Sequence, residues 1–236
     1  MNKLLVKDNY PIPNIEDLID SLYGKKYFTI FDLKDGFYHI RLAENSIKYT
    51  AFTTPFGQYE FVRMPFGLKV APSRFQRYVN QILIDLIRES KVVVYMDDIL
   101  VSSVTIEEHF IILKEVFKKF VENRLQLRID KCKFLQTEIE FVGYLISEKG
   151  ISPTKEGVVA VQKIPVPRNI KEVQSFVALC SYFRKFIRSF SIIAKPLYDL
   201  LRKNVQFYFG KNELDAFENL KKKLVEAPVL TIQGVR

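Results

Sequence analysis

The stretch Lys91-Val-Val-Val-Tyr-Met-Asp-Asp-Ile-Leu-Val-Ser-Ser103 determines how the rest of the chain is interpreted. Two apolar, β-branched runs, Val92–Tyr95 and Ile99–Val101, flank the adjacent acids Asp97 and Asp98, which predicts a buried hairpin with both acids in its tight turn. Placing two carboxylates at the tip of so apolar a hairpin costs free energy unless a cation lies beside them. Mg²⁺ is a suitable cation, because it prefers oxygen ligands. Asp is also a common turn residue, so the hairpin alone is compatible with an ordinary turn that binds no metal.

A second apolar stretch supplies a third acid. Residues Tyr27–Leu33 predict a core strand that carries Asp32 near its end. Three carboxylates on two apolar strands can converge, and converging carboxylates can hold two Mg²⁺ ions about 3.5–4 Å apart for phosphoryl or nucleotidyl transfer. A lone acid at a strand end usually just reaches solvent, so the hypothesis depends on the three acids together.

The composition is that of a soluble globular protein. The chain has 236 residues, of which 48% are hydrophobic and 27% charged, enough for one large domain or two small ones. No apolar run reaches the length of a membrane span, and the N-terminus lacks a secretory signal. The two cysteines, Cys132 and Cys180, are expected to be reduced and packed. His39 and His109 are far apart in sequence, which argues against a zinc site.

The net charge of +9 is concentrated in the last third of the chain. Residues 151–236 contain 15 Lys and Arg against 7 Asp and Glu, whereas residues 1–100 contain 13 against 12 and residues 101–150 contain 8 against 8. A basic excess confined to one segment indicates a surface for a polyanion, with nucleic acid as the obvious candidate. A solvated, solubilising face is the alternative.

Helical and strand patterns alternate over the first 150 residues. Helices are predicted over Ile15–Leu22, Pro72–Glu89 and Thr105–Asn123, the last with Phe110, Leu113, Phe117 and Phe120 on its core face. Strand-like pieces besides the two above are Leu125–Ile129 and Ile139–Ile146, with a strand-and-turn region over residues 41–70. The prediction is an α+β layer, an antiparallel sheet with helices on one face and the other face open, where a duplex could lie.

From Ile151 the pattern is mainly helical. A short helix over Lys155–Lys163 precedes a longer one that Asn169 caps and that runs to about Phe190. Arg184 and Arg188 are four residues apart and are therefore expected to share a helical face, with Lys185 beside them. This basic face is the candidate for contacts with backbone phosphates, with solvation as the alternative.

Several spaced motifs agree with one known family. Tyr95-Met-Asp-Asp98, Phe31-Asp-Leu-Lys-Asp-Gly-Phe37, and Met64-Pro-Phe-Gly-Leu68 followed by Ala71-Pro72 resemble the reverse transcriptases of gypsy-type LTR retrotransposons and retroviruses, from about Met1 to Leu230. The resemblance implies the right-hand fold of polymerases, with a palm of antiparallel sheet and helices. Partial fingers and palm would span 1–146 (fingers portion about 41–70), a helical thumb 147–205, and the start of a connection region 206–236.

The resemblance also implies an activity and its residues. The activity is RNA-directed DNA synthesis, in which nucleotides pass from dNTPs to a primer 3′-hydroxyl. Two Mg²⁺ ions, with Mn²⁺ as an alternative, would be bound by Asp32, Asp97 and Asp98. Other positions would contact the nucleotide or the primer end. They are backbone amides near Asp35 and Gly36 at the triphosphate, Phe37 as steric gate (without the family, a core aromatic), Phe66 at the nucleotide pocket, Met96 near the primer terminus or the incoming sugar, and Phe141, Val142, Gly143 and Tyr144 as primer grip.

The implied partners are an RNA or DNA template with primer, dNTPs, and other Pol segments such as RNase H and integrase, in a cytoplasmic or virus-like-particle setting without a membrane.

The chain departs from the family at its ends: Met1-Asn-Lys stands where members have Leu-Asn-Lys within the fingers, and no RNase H motif is reached. Phe209 also replaces a common Trp. A polyprotein fragment or a decayed element is therefore expected, with an inactive remnant that only binds nucleic acid as the alternative function. A metal-dependent nuclease is a weaker hypothesis, because no general base accompanies the acids.

Overall fold

The computed structural model describes residues 2–3, 5–6, 8–203 and 205–230. The chain forms two compact units that divide between Val142 and Gly143. Within the described residues, none of the helices has the length and apolar character needed to cross a membrane. Both cysteines are free thiols, and Cys180 is buried while Cys132 is half-buried, as expected.

The first unit combines short helices with antiparallel strands. Its elements are α1 (Ile15–Asp20), β1 (Tyr27–Asp32), α2 (Glu44–Ile47), β2 (Phe52–Thr54), β3 (Gly57–Tyr59), α3 (Ala71–Ile82), α4 (Ile84–Arg88), β4 (Val92–Tyr95), β5 (Asp98–Ser103), α5 (Ile106–Glu122), β6 (Lys133–Gln136) and β7 (Glu138–Phe141). Strands β2 and β3 form the hairpin of the 41–70 region, and α2 is a short helix that the sequence pattern did not predict.

The central sheet of this unit has the strand order β4-β5-β1-β6. The pairs β4–β5 and β5–β1 are antiparallel, and Phe31 lies opposite Ile99. Phe31 and Ile99 belong to the same buried core as Phe75 of α3 and Val116 of α5, so the helices cover this face of the sheet. The predicted α+β architecture is confirmed.

The opposite face of the sheet is less open than the sequence predicted. Residues alternate between the two faces of a strand, so Phe28 and Leu100 lie on the face away from Phe31 and Ile99. Both Phe28 and Leu100 are fully buried. The expectation of one wholly open face is therefore wrong, because apolar residues occupy both sides of β1 and β5.

Two helix predictions in this unit need correction. The helix expected over Pro72–Glu89 is two helices, because Leu83 between α3 and α4 leaves helical geometry (φ −105°, ψ 14°). Thr105 caps α5 by accepting a hydrogen bond from the Glu108 N–H, as predicted. However, Phe110, which was predicted to face the core, is 58% exposed, and the neighbouring His109 is buried instead.

The segment after α5 also differs from its prediction. The strand expected over Leu125–Ile129 is reduced to a single bridge between Leu127 and Leu33, and the fourth strand of the sheet is β6 instead. The stretch Ile139–Ile146 is interrupted at Val142 and Gly143, which both have positive φ. Apolar residues continue on both sides of this break, so hydrophobicity alone does not reveal it.

The second unit is a hairpin followed by helices. Its elements are β8 (Tyr144–Ser147), β9 (Gly150–Pro153), α6 (Lys155–Gln162), α7 (Ile170–Tyr182), α8 (Phe190–Asp199) and α9 (Lys211–Val225). Asn169 caps α7 as predicted, by accepting a hydrogen bond from the Glu172 N–H. The predicted long helix nevertheless ends at Tyr182, and a 3₁₀ turn over Arg184–Phe186 connects it to α8.

Candidate active site

Two of the three predicted acids face each other across neighbouring strands. Asp32, the last residue of β1, lies opposite Asp98, the first residue of β5. Directly opposed residues of an antiparallel pair point to the same face of the sheet, so the two carboxylates share a face. Met96 and Asp97 form the loop of the β4–β5 hairpin, where Tyr95 pairs with Asp98. The predicted hairpin is therefore present, although Asp98 belongs to its second strand rather than to the turn.

The three carboxylates influence one another electrostatically. Burial raises the pKa of Asp97 above its ordinary value, and the charge of Asp32 raises it further. The pKa of Asp98 is raised by burial first, then by Asp32 and by Asp97. Converging negative charges of this kind disfavour the ionised form, and a bound cation would relieve the repulsion.

The donor chemistry at this site fits a hard divalent cation, because carboxylate oxygens are the ligands that Mg²⁺ prefers. Over the described part of the chain, however, no group of three His, Cys, Asp or Glu side chains has the spacing of a preformed metal cluster. Arg128 forms an ion pair with one of these acids, Asp32. Its Nε lies 3.7 Å from Asp32 Oδ1, and its backbone N–H donates to the Asp32 carbonyl at 2.9 Å. No local sequence pattern predicts the role of Arg128, because this contact depends on the irregular segment after α5.

A glycine lets the β1–α2 connection approach the hairpin loop. Asp35 is in the left-handed conformation (φ 52°), and Gly36 starts the 3₁₀ turn that follows. A Cβ on Gly36 would lie 2.8 Å from Phe75 Cζ and 3.0 Å from Asp97 Oδ1. Any side chain at position 36 would therefore displace one of these neighbours. Gly36 and Asp97, two predicted site residues, lie side by side.

The two predicted aromatic residues of the nucleotide pocket also meet. The ring centroid of Phe37 is 5.0 Å from that of Phe66 and 5.6 Å from that of Phe75. Phe75 is fully buried, whereas Phe66 is largely exposed. Phe37 therefore joins the protein core to a solvent-accessible aromatic surface beside Gly36.

A buried glutamine that the sequence interpretation overlooked holds the hairpin loop. Gln76 of α3 is fully buried, and its Oε1 accepts a hydrogen bond from the Met96 N–H at 2.7 Å. Its Nε2 donates to the Val94 carbonyl at 3.0 Å. A signal for it did exist: Gln76 is a polar residue within the apolar stripe of α3 that includes Phe75 and Val79.

The predicted primer grip and basic face involve the second unit. The division between the units falls inside the predicted grip, and both Phe141 and Tyr144 are buried. Arg184 and Arg188 are exposed, and the Lys185 ammonium lies 4.4 Å from the centroid of the Tyr144 ring. The predicted helical face shared by Arg184 and Arg188 is absent, because α7 ends before both.

Comparisons with known proteins were made for the sequence and the structure. A sequence model of the family described as "Reverse transcriptase (RNA-dependent DNA polymerase)" matches residues 1–146. The chain is 40% identical over 233 residues to the retrovirus-related Pol polyprotein from transposon 297 of Drosophila melanogaster, which covers 98% of this chain and 22% of that protein. It is 38% identical over 230 residues to the transposon Tf2-7 polyprotein of Schizosaccharomyces pombe, covering 98% and 17%. The chain thus spans about a fifth of the length of these relatives.

Solved structures agree with this similarity. A foamy viral protease-reverse transcriptase in complex with double-stranded DNA matches with a TM-score of 0.89 and 30% identity, over 97% of this chain and 40% of that one. The foamy viral protein in complex with an RNA/DNA hybrid matches with a TM-score of 0.84 and 29% identity, over 99% of this chain and 32% of that one.

Proposed function

The chain belongs to the reverse transcriptase family, and from this premise we propose that it carries out template-directed nucleotidyl transfer from dNTPs to a primer 3′-hydroxyl. One observation carries the proposal: the register of β1 and β5 sets Asp32 opposite Asp98, with Asp97 in the adjoining loop. Neighbouring carboxylates of this kind support a two-metal site for attack of the 3′-hydroxyl on the α-phosphate of a dNTP, with pyrophosphate as the leaving group.

Asp32, Asp97 and Asp98 would hold two Mg²⁺ or Mn²⁺ ions, which when bound would stabilise charge on the attacking and leaving oxygens. The raised pKa values of Asp97 and Asp98 support a site that favours a cation. Arg128 would either share the Asp32 carboxylate with the metal or move away from it, since its Nε lies 3.7 Å from Asp32 Oδ1.

The nucleotide would bind beside the turn that begins at Gly36. Backbone amides near Asp35 and Gly36 would contact its triphosphate, because successive N–H groups in a turn attract anions. The ring of Phe37 would exclude a ribose 2′-hydroxyl, and Phe66 would border the same pocket. The packing of Phe37 against Phe75 supports this role, since a gate must be rigid to discriminate.

Further predicted residues would contact the template–primer duplex. The stretch Phe141-Val-Gly-Tyr144 would hold the primer end, and Met96 would lie near the primer terminus or the incoming sugar. Arg184, Lys185 and Arg188 would contact backbone phosphates. The matched foamy viral proteins are in complexes with double-stranded DNA and with an RNA/DNA hybrid, which supports a duplex of either kind as the substrate. The relatives are polyproteins, which supports neighbouring Pol segments as partners.

Primer extension tests the proposal. The chain is given a labelled primer on an RNA or a DNA template with dNTPs and Mg²⁺, and template-dependent lengthening of the primer is the expected result. Asp97→Asn should lower the rate by about 10³-fold or more, because a neutral amide binds divalent cations poorly. Asp17→Asn, at an exposed acid of α1, is the control and should leave the rate unchanged. Equal extension by Asp97→Asn would show that the metal assignment is wrong.

A second candidate function is nucleic-acid binding without synthesis. The observation that favours it is the Arg128–Asp32 contact, which occupies a carboxylate that metal binding needs. This function predicts salt-dependent binding of a duplex and no incorporation of nucleotides. Incorporation by the chain itself would exclude it.

A further inference from the structure

Gln76 makes three hydrogen bonds inside the protein, two through Nε2 and one through Oε1. The Met96 N–H can pair only with an acceptor, so Oε1 must face Met96 and Nε2 must face the opposite way. The two Nε2 hydrogens are donated to the Val94 carbonyl and to Asn80 Oδ1, both at 3.0 Å. A single buried side chain thus joins α3 to the last strand residues and to the loop of the hairpin. A buried amide satisfied in this way specifies one geometry, because every alternative leaves a polar group unpaired.

The loop that Gln76 holds is conformationally unfavourable by itself. Met96 has a φ of 55°, in the left-handed region that a residue with a long side chain rarely adopts. A strained backbone of this kind persists only where surrounding contacts fix it. The hydrogen bond from the Met96 N–H to Gln76 is such a contact, and the next residue along the chain is Asp97.

The contact at Gly36 limits how far Asp97 can move. Asp97 Oδ1 lies against Gly36, which restricts this carboxylate on one side. Because Asp97 follows Met96 directly, a shift of the Met96 main chain would change the position of the carboxylate relative to Asp32 and Asp98. The hydrogen-bond chain also extends outward, because Asn80 Nδ2 donates to the Tyr10 hydroxyl at 2.9 Å. Tyr10, Asn80 and Gln76 therefore connect the N-terminal segment to the loop.

We propose that Gln76 is a positioning residue for nucleotidyl transfer: it fixes the main chain of Met96 and, through it, the carboxylate of Asp97. This role rests on the proposed function, since it concerns the same acids. It is distinct from metal or nucleotide binding, because Gln76 is buried and acts only through the loop.

The first test reads the loop directly and needs no activity. Gln76→Met keeps the length of the side chain but removes all three hydrogen bonds, and Gln81→Met, at an exposed position of the same helix, is the matched control. Hydrogen exchange at the Met96 amide should become at least about tenfold faster in Gln76→Met and stay unchanged in Gln81→Met, because only the first loses the acceptor. Amides of β1 should be unaffected in both.

The second test reads the consequence for chemistry. In primer extension, kcat of Gln76→Met should fall about 10- to 100-fold, while KM for dNTP and the Kd for duplex change less than about threefold, because a misplaced carboxylate acts on the transition state. A general loss of folding would instead lower the fraction of active protein and leave kcat per active site unchanged. Asn80→Ala should have a smaller effect than Gln76→Met, and Tyr10→Phe a smaller one still.

The outcomes separate this role from the proposed function. If wild-type protein does not extend a primer, the proposed function fails, and exchange at Met96 still decides whether Gln76 holds the loop. Unchanged exchange at Met96 in Gln76→Met would overturn the positioning role. So would unchanged kcat in Gln76→Met, where the wild type is active.

Discussion

Asp98 is a residue whose charge opposes folding. Burial and the neighbouring acids raise its pKa above 3.8, so between pH 3.8 and the raised value the native state binds more protons than the unfolded state. Stability contributed by this group therefore decreases as pH rises through that interval, and the full penalty is present at neutral pH. Sites that bind cations commonly retain such costs, because function needs the charge.

Asp98→Asn should consequently stabilise the protein, although the proposed nucleotidyl transfer needs the charge that it removes. At pH 7.5 the Tm is expected to rise by about 1–3 °C, and the gain should disappear near pH 3.5, where Asp98 itself is protonated. Thermal unfolding at several pH values measures the effect, with the exposed Asp17→Asn as control. A lower Tm for Asp98→Asn at pH 7.5 would contradict the argument.

At the residue scale, the acids could be predicted from the sequence, whereas the tertiary contacts of Arg128 and Gln76 could not. Asp32, Asp97 and Asp98 stand out because charged residues interrupt apolar strands. Arg128 and Gln76 act through tertiary contacts with residues far away in sequence, so no local pattern gives their partners.

At the element scale, a buried histidine joins two strands to a helix. His109 of α5 is fully buried, with Nε2 2.7 Å from Thr29 Oγ1 of β1 and Nδ1 2.9 Å from Ser103 Oγ of β5. Burial lowers the pKa of His109 below 6.5, so the native state disfavours protonation. Its contribution to stability is present above pH 6.5 and is lost as pH falls through the lowered pKa.

His109→Gln should lower the free energy of unfolding at pH 7.5 by about 1–3 kcal/mol, because Thr29 and Ser103 lose a buried partner. Between pH 7.5 and 5.5 its stability should also depend less on pH than that of the wild type. Chemical denaturation across this range measures both effects. His39 also has a pKa lowered mainly by burial, so His39→Gln is the comparison. If the pH dependence of stability is the same in His109→Gln as in the wild type, titratable groups other than His109 cause it.

His109 also explains why helix predictions failed in detail. The aromatic pattern of α5 placed Phe110 in the core, but the hydrogen bonds of His109 fix a different face toward the sheet. The breaks at Leu83 and after Tyr182 were missed for another reason. Buried apolar residues, such as Phe183 and Phe186 in the second case, continue the helical pattern of hydrophobic residues past the end of the helix. Caps, by contrast, are local, and those at Thr105 and Asn169 were predicted correctly.

At the scale of the whole molecule, the net charge is distributed unevenly between residues 1–150 and residues 151–236. Almost all of the net charge of +9 lies in residues 151–236, and this asymmetry follows directly from composition. Lys221 shows why composition alone does not identify contacts: its ammonium donates to the Gln162 and Ile164 carbonyls at the end of α6 and is therefore structural. Arg184 and Arg188 are exposed, which leaves them as the better candidates for phosphate contacts.

Replacing both arginines should weaken duplex binding in a salt-dependent way. Each phosphate contact releases about one counterion, so Arg184→Gln with Arg188→Gln should reduce the slope of log K against log salt by about 2, uniformly across duplex sequences. Lys114→Gln with Lys118→Gln, at exposed positions of α5, removes the same charge from the first unit and should leave the slope nearly unchanged. Fluorescence anisotropy with a labelled RNA/DNA hybrid between 50 and 300 mM salt, about the range over which such slopes are measured, gives both values. Equal slopes for the two pairs would mean that net charge, rather than these arginines, attracts the duplex.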